Sequence, residues 1–154
     1  VKLRALCVIV ACLVITSCKV RDFGCLSNGY WVAAPSHAEM GIQDVTGNTV
    51  LERYVSQIGL TKGYIVAICR VRSGDDTVPL PDEKPCHGFN VIDTETTHVW
   101  RDMTEAQAEE VLFKAGLKMP ELHYANTWFN QDWPDGKPSD FCRATFHDNP
   151  TPRD

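Results

Sequence analysis

Apolar and polar positions keep one rhythm at the start of this chain and another in the rest. Residues 5–16 (ALCVIVACLVIT) form an unbroken apolar run with no amphipathic face, whereas the sequence after residue 18 breaks into short apolar stretches divided by Gly, Pro, Asn and Asp. Residues 29–33 (GYWVA) predict a first strand, being rich in side chains that suit a pleated, half-buried surface, and Pro35 ends it. Two periods compete over residues 40–58. Val50, Leu51, Tyr54, Val55 and Ile58 share one helical face, yet Thr46-Gly47-Asn48 has the chemistry of a hairpin turn. Strands are preferred, because a turn at residues 59–63 leads into 64–71 (YIVAICRV), whose β-branched and apolar character predicts a central strand covered on both faces. Residues 89–93 (FNVID) and 98–100 (HVW) predict a further hairpin around the turn TETT.

The clearest helical period follows. Thr104 with Gln107 has the form of a capping box, Glu105 suits a helix N-terminus, and Gly116 fits just past the end. Ala108, Val111, Leu112 and Ala115 make its apolar stripe. Between the strands, residues 73–88 carry three prolines and four acids, Asp75, Asp76, Asp82 and Glu83, and predict an exposed loop. Beyond Lys118, Trp128, Phe129, Trp133 and Phe141 alternate with Pro and Gly, a tail expected to pack onto the domain until residues 147–154 fray. The expected fold class is α+β: a small antiparallel β-meander sheet with one packed amphipathic helix over residues 29–146, stabilised by disulfides.

Composition narrows the class. A chain of 154 residues, 44% apolar and 23% charged, has the make-up of one globular domain and not of a disordered segment. Its formal charge is -5, with no basic stripe, which argues against nucleic acid as a partner.

The opening run changes the picture more. Lys2 and Arg4 precede 12 apolar residues, too few for a membrane-spanning helix, which takes roughly 20. A positive start, an apolar middle and a small-residue end form the layout of a secretory signal peptide, the alternative being a buried core helix. Val1, where Met would be expected, is read as an alternative start codon of a bacterial or phage gene. Cleavage after Ser36-His37-Ala38 would also satisfy a small-x-small rule, but it lies far beyond the run.

Ile15-Thr16-Ser17-Cys18 resembles the lipobox of bacterial lipoproteins: an aliphatic residue, a small or β-branched one, a small one, then cysteine. The resemblance implies that residues 1–17 are removed, that Cys18 takes a diacylglycerol and an acyl group such as palmitate, and that residues 18–28 form a lipidated tether. Each buried CH₂ contributes about 0.8 kcal/mol, so two or three chains anchor firmly where one does not. Lys19 stands where an acidic residue would signal inner-membrane retention, which implies the outer membrane, with the domain in the periplasm. A looser resemblance covers GYIVAI, FNVIDTETTHVW and MTEAQAEEVLFKAGL, similar to a strand, strand and helix pattern of small uncharacterised bacterial exported proteins. It implies an antiparallel α+β domain and no catalytic residues.

Seven cysteines lie at 7, 12, 18, 25, 69, 86 and 142. Losing the signal peptide and lipidating Cys18 leaves Cys25, Cys69, Cys86 and Cys142, an even set that in an exported domain predicts disulfides with three pairings open. Cys69 with Cys86 and Cys25 with Cys142 is preferred, the former closing the Pro-rich loop and the latter tying the two ends. A metal site drawing on Cys86, His87, Cys142 and His147 competes, but no C-x-x-C or H-x-x-x-H spacing supports it.

Catalytic patterns are sparse. The five histidines, His37, His87, His98, His123 and His147, fall in no H-E-x-x-H, and no G-x-S-x-G, Walker loop or G-x-G-x-x-G occurs. The acids of the Pro-rich loop lack the ligand rhythm of a calcium loop. They are read as a solvated segment that can also serve as a binding loop on a rigid frame. Trp128, Phe129 and Trp133 are read first as core and second as an exposed anchor.

The function expected from the sequence is therefore non-enzymatic: a membrane-anchored periplasmic lipoprotein binding a basic protein, as an immunity protein or enzyme inhibitor would. No cofactor is expected beyond the lipid on Cys18. A structural or assembly lipoprotein of the envelope is the alternative, followed by a small hydrolase or metal-binding protein.

Overall fold

Successive side chains of a strand point to opposite faces, and in the central strands of this chain both sets are apolar. In β2 (Trp31–Ala34), Val32 and Ala34 enter one core while Trp31 and Ala33 enter another. In β6 (Tyr64–Cys69), Ile65, Ala67 and Cys69 enter the first core while Val66 enters a third. A sheet with two apolar faces needs cover on both, and the computed structural model, which describes residues 22–34, 40–70, 86–129, 131–132 and 138–145, supplies it.

Among the described residues the strands form two five-stranded antiparallel sheets. The first runs in the order β10 (Gln131–Asp132), β1 (Asp22–Cys25), β2, β3 (Gly41–Gln43), β4 (Thr49–Leu51). The second runs β8 (Val99–Met103), β7 (Gly88–Asp93), β6, β5 (Val55–Thr61), β9 (His123–Tyr124). Between them lies the main core, with Tyr30, Val32, Ile42, Leu51, Ile58, Ile65 and Ile92 among its buried members. Helix α1 (Glu105–Lys114) covers the outer face of the second sheet through Ala108 and Leu112, packed on Val66 and Val91. Helix α2 (Pro138–Thr145) covers the outer face of the first, where Cys142 and Phe141 meet Phe23, Trp31 and Ala33. The layers are thus helix, sheet, sheet, helix.

The fold is α+β and disulfide-stabilised, as expected, and the strands over 40–58 and the 88–103 hairpin are present. Thr104 and Gln107 close their capping box, with the Thr104 N–H donating to Gln107 Oε1 at 2.9 Å and the Gln107 N–H to Thr104 Oγ1 at 3.3 Å. Gly116 takes the left-handed φ of 75° that ends such a helix. Three features differ from the expectation. The strands divide between two sheets, because a single one would leave Val32, Ile42 and Leu51 uncovered. Residues 22–28, expected as the end of a tether, hold β1 and a 3-10 turn (Ser27–Gly29), with Phe23 fully buried. That turn delays the strand expected at residue 29 to Trp31. A second helix, α2, occupies the C-terminal part.

The side of the sandwich beside β1 and β5 is closed by residues 125–129, which carry the chain from β9 toward β10. Trp128 Nε1 donates to the Ile58 carbonyl at 3.2 Å, and its own backbone passes over Gly24. A Cβ on Gly24 would stand 1.8 Å from the Trp128 carbonyl oxygen. The opposite side is bridged by Arg101 of β8, whose guanidinium donates to the Val50 carbonyl of β4. Residues 52–54 cross from one sheet to the other, with Arg53 and Tyr54 both left-handed at φ 49° and 61°. Each such non-glycine residue costs roughly 1–2 kcal/mol. The crossing is held by the Val55 N–H on the Met40 carbonyl (3.1 Å) and the Arg70 N–H on the Tyr54 carbonyl (3.0 Å).

Two stability measurements check this frame. Gly24→Ala should lower the unfolding free energy by about 3 kcal/mol, the upper part of the overpacking range, followed through tryptophan fluorescence in urea. Removing Cys25–Cys142 by paired alanine substitution should cost about 5 kcal/mol, and removing Cys69–Cys86 about 3, because the former closes the longer loop. The reverse order would show that local contacts, not loop length, set the contribution of each bridge.

Candidate functional site

The sandwich has two ends of different character. At the proximal end β1 begins, and Met40, residues 52–54, Arg70 and Cys86 gather there. At the distal end four turns meet: Ser27–Gly29, residues 44–48, Lys62 with Gly63, and residues 93–98. Two of these open on an aspartate whose carboxylate captures the amides that follow it, the Asx turn that suits Asp ahead of a reversal. Asp44 Oδ1 accepts from the Thr46 N–H (2.8 Å), the Thr46 hydroxyl (2.6 Å) and the Asn48 N–H (3.0 Å). Asp93 Oδ1 accepts from the N–H groups of Glu95 (3.0 Å) and Thr96 (3.1 Å), while the Tyr64 hydroxyl lies 3.4 Å from Oδ2.

These turns are also tied across the sheets. Asn28, at φ 54°, donates through Nδ2 to Thr94 Oγ1 at 2.7 Å, and Thr94 donates in turn from its hydroxyl to the Gly63 carbonyl at 2.6 Å. Asn tolerates the left-handed region better than most residues, so the turn between β1 and β2 can aim this amide at the second sheet. Tyr30, 1% exposed, lies near both aspartates. Burial pushes its phenol above the ordinary value, and the Asp44 and Asp93 charges add to the rise. Partial burial pushes both aspartates up, but their hydrogen bonds outweigh it and leave each carboxyl below the usual range.

What this cluster can do follows from those directions. A general base at neutral pH needs a raised carboxyl with a free lone pair. Asp44 and Asp93 are instead depressed and engaged by turn amides. The arrangement holds charged loops in fixed places, a rigid polar tip suited to recognition.

The other residues singled out in the sequence are dispersed. Cys25 is bonded to Cys142 and Cys69 to Cys86, with Cα atoms 5.3 and 5.5 Å apart. The sulfurs offered to a metal site by Cys86 and Cys142 are thereby engaged. His87 is exposed, with its backbone N–H donating to Asp102 Oδ1 at 2.9 Å. His98 stacks edge-on against Trp100 at 4.3 Å, and His123 lies 6.2 Å from Trp128. Trp128 and Phe129 are core residues at 3% and 9% exposure. Among the described residues no three His, Cys, Asp or Glu side chains converge as metal ligands, and no helix is long and apolar enough to cross a membrane. Cys18, Asp75, Asp76, Asp82, Glu83, His37, Trp133 and His147 lie outside the described residues, as do the signal peptide and the tail at 147–154. Arg70 and Cys86, which flank the acidic stretch in sequence, are at the proximal end, away from the Asp44 and Asp93 turns.

Sequence reasoning missed the distal cluster, although D-V-T at 44–46 and D-T-E-T at 93–96 were the available signals. It had none for the pairing of Asn28 with Thr94, nor for Asn90, buried in β7. The Asn90 amide donates to the His87 and Gly88 carbonyls (3.1 and 3.3 Å) and accepts from the Asp102 N–H (3.2 Å). Trp31 Nε1 is buried with no hydrogen-bond partner among the described residues.

Asp93→Ala should lower stability at pH 7 by about 1–3 kcal/mol, since it strands two turn amides. The folded carboxyl titrates below its unfolded value, about 3.9. Its contribution is therefore complete above that value and is lost as pH falls through the folded one. Urea titrations at pH 7 and pH 3 should show the gap between parent and variant narrowing in acid.

No protein-family model, curated protein or solved structure matches this chain in the comparisons made.

Proposed function

We propose that this chain is an exported lipoprotein, anchored through lipid on Cys18, whose two-sheet domain acts by binding another protein. The observation that carries the reading is the disulfide pair. All four cysteines beyond Cys18 are joined, Cys25 to Cys142 and Cys69 to Cys86. Disulfides of this kind form in oxidising compartments, and the run ending at Cys18 supplies the export signal such folding requires.

Binding is the assigned mode of action because the frame is rigid where its loops emerge. The Cys69–Cys86 bridge draws the two roots of the acidic loop together, and the Asp44 and Asp93 turns fix the other end. The formal charge of -5 for the whole sequence becomes -7 once Lys2 and Arg4 leave with residues 1–17, and the domain would be steered toward a basic partner. An immunity protein or an inhibitor of a wall-degrading enzyme has these requirements. The domain would act in the periplasm, with its anchor in the outer membrane.

Mass spectrometry of the chain recovered from membranes should find Cys18 as the modified N-terminal residue. An unmodified Cys18 still joined to Ser17 would remove the anchor from this reading. Capture experiments at low salt should retain a basic envelope or secreted protein, and joint replacement of Asp75, Asp76, Asp82 and Glu83 by their amides should abolish retention. If no such protein is retained and deletion instead weakens the envelope, an assembly role takes precedence.

A further inference from the structure

The start of β1 fixes how far the domain can stand from its anchor, an inference that rests on the lipidated Cys18 proposed above. β1 begins at Asp22, so only residues 19–21 lie between the lipid-bearing cysteine and a strand held on both sides. A fully extended chain advances at most about 3.6 Å per residue, which keeps the Asp22 Cα within roughly 14 Å of the Cys18 Cα. The strands carry the domain away from that point. Six residues of β6 or β7 span about 20 Å at 3.3 Å each.

We infer that the domain stands with its proximal end, around Met40, Glu52, Arg70 and His87, against the lipid headgroups of the membrane that holds Cys18. Its distal end, with the Asp44 and Asp93 turns, faces the aqueous compartment. A pose lying on α1 is disfavoured, because the exposed Glu105, Glu109 and Glu110 would meet an anionic surface with Lys114 as the compensating cation on that helix. Lys19 and Arg21 flank the anchor, and each cation near an anionic surface contributes about 1 kcal/mol toward it. The proximal end itself is mixed, with exposed Glu52 and Asp102 beside exposed Arg70, and the stretch bearing Asp75, Asp76, Asp82 and Glu83 leaves the fold there between Arg70 and Cys86, so charge does not favour this end. Tether length, more than charge, selects this end. A soluble partner would then meet the distal turns first, and anything reading the proximal end must itself be at the membrane.

The test uses the full lipidated chain in vesicles of phosphatidylethanolamine and phosphatidylglycerol carrying a headgroup-linked photocrosslinker, with labelled peptides mapped by mass spectrometry. With the label localised residue by residue in the fragment spectra, Met40, Glu52 and His87 should be labelled several-fold more than Gly47, Lys62 and Thr96. Preferential labelling of the distal turns or of α1, or uniform labelling, would overturn the orientation. A Gly-Ser linker of about ten residues inserted before Asp22 adds roughly 35 Å of reach and should flatten the difference. A difference that persists unchanged would show that the tether does not set the pose. The intact mass separates the two levels: a chain without lipid on Cys18 removes the anchor itself, whereas a lipidated chain with the wrong pattern removes only the orientation.

Discussion

Burial on both faces of both sheets is the constraint from which the rest of this structure follows. A strand that alternates apolar side chains with apolar side chains cannot leave either face in water, since each fully buried Val, Leu, Ile or Phe contributes about 1.5–3 kcal/mol relative to exposure. β2 and β6 are such strands. Their inner faces meet in the main core, and each outer face takes a helix. The helices differ in how they can meet that demand. α1 has ten residues, a capping box and a four-residue spacing from Ala108 to Leu112, so it presents a continuous stripe. α2 has eight residues, too few to be stable alone, and it is fastened to β1 through Cys25–Cys142. The disulfide does for the first sheet what an apolar stripe does for the second.

Legibility in the sequence followed the distance over which each signal acts. The capping box, Gly116, the β-branched run at 64–69 and the hairpin turns are encoded within a few residues, and each was readable. The cysteine pairing was readable because Cys69 and Cys86 flank one loop and the other two lie near opposite ends. β1 was not. Its four residues, D-F-G-C, have neither length nor period, and only pairing with β2 and β10 makes them a strand. The division into two sheets was equally hidden, because an apolar run reports that both faces are covered and not what covers them. Asn28 and Thr94 are 66 residues apart, and nothing local marks either as a partner.

The candidate site was legible in the same uneven way. The carboxylates that stood out by density, Asp75, Asp76, Asp82 and Glu83, lie outside the described residues, in a stretch flanked in sequence by Arg70 and Cys86 at one end of the sandwich. Those that organise the described structure, Asp44 and Asp93, are single residues at the other end. Their environment gives them their role: a lone aspartate before a turn gains up to three donors, whereas a run of acids repels itself and invites a cation. Charge density along a sequence and charge positioning in a fold are different quantities.

The bond between Cys25 and Cys142 also determines how the domain would respond to force. It joins the first strand to the last described helix, enclosing nearly every element of the fold in one covalent ring. A pull applied between the two ends of the chain would load the pairing of Asp22–Gly24 with β2 and β10 and then pass through that bond, not through the other ladders of the sheets. Among the described residues only Asp22–Gly24 of β1 and Arg143–Thr145 of α2 lie outside the ring, so the load could draw out those ends but not unravel the second sheet or the main core.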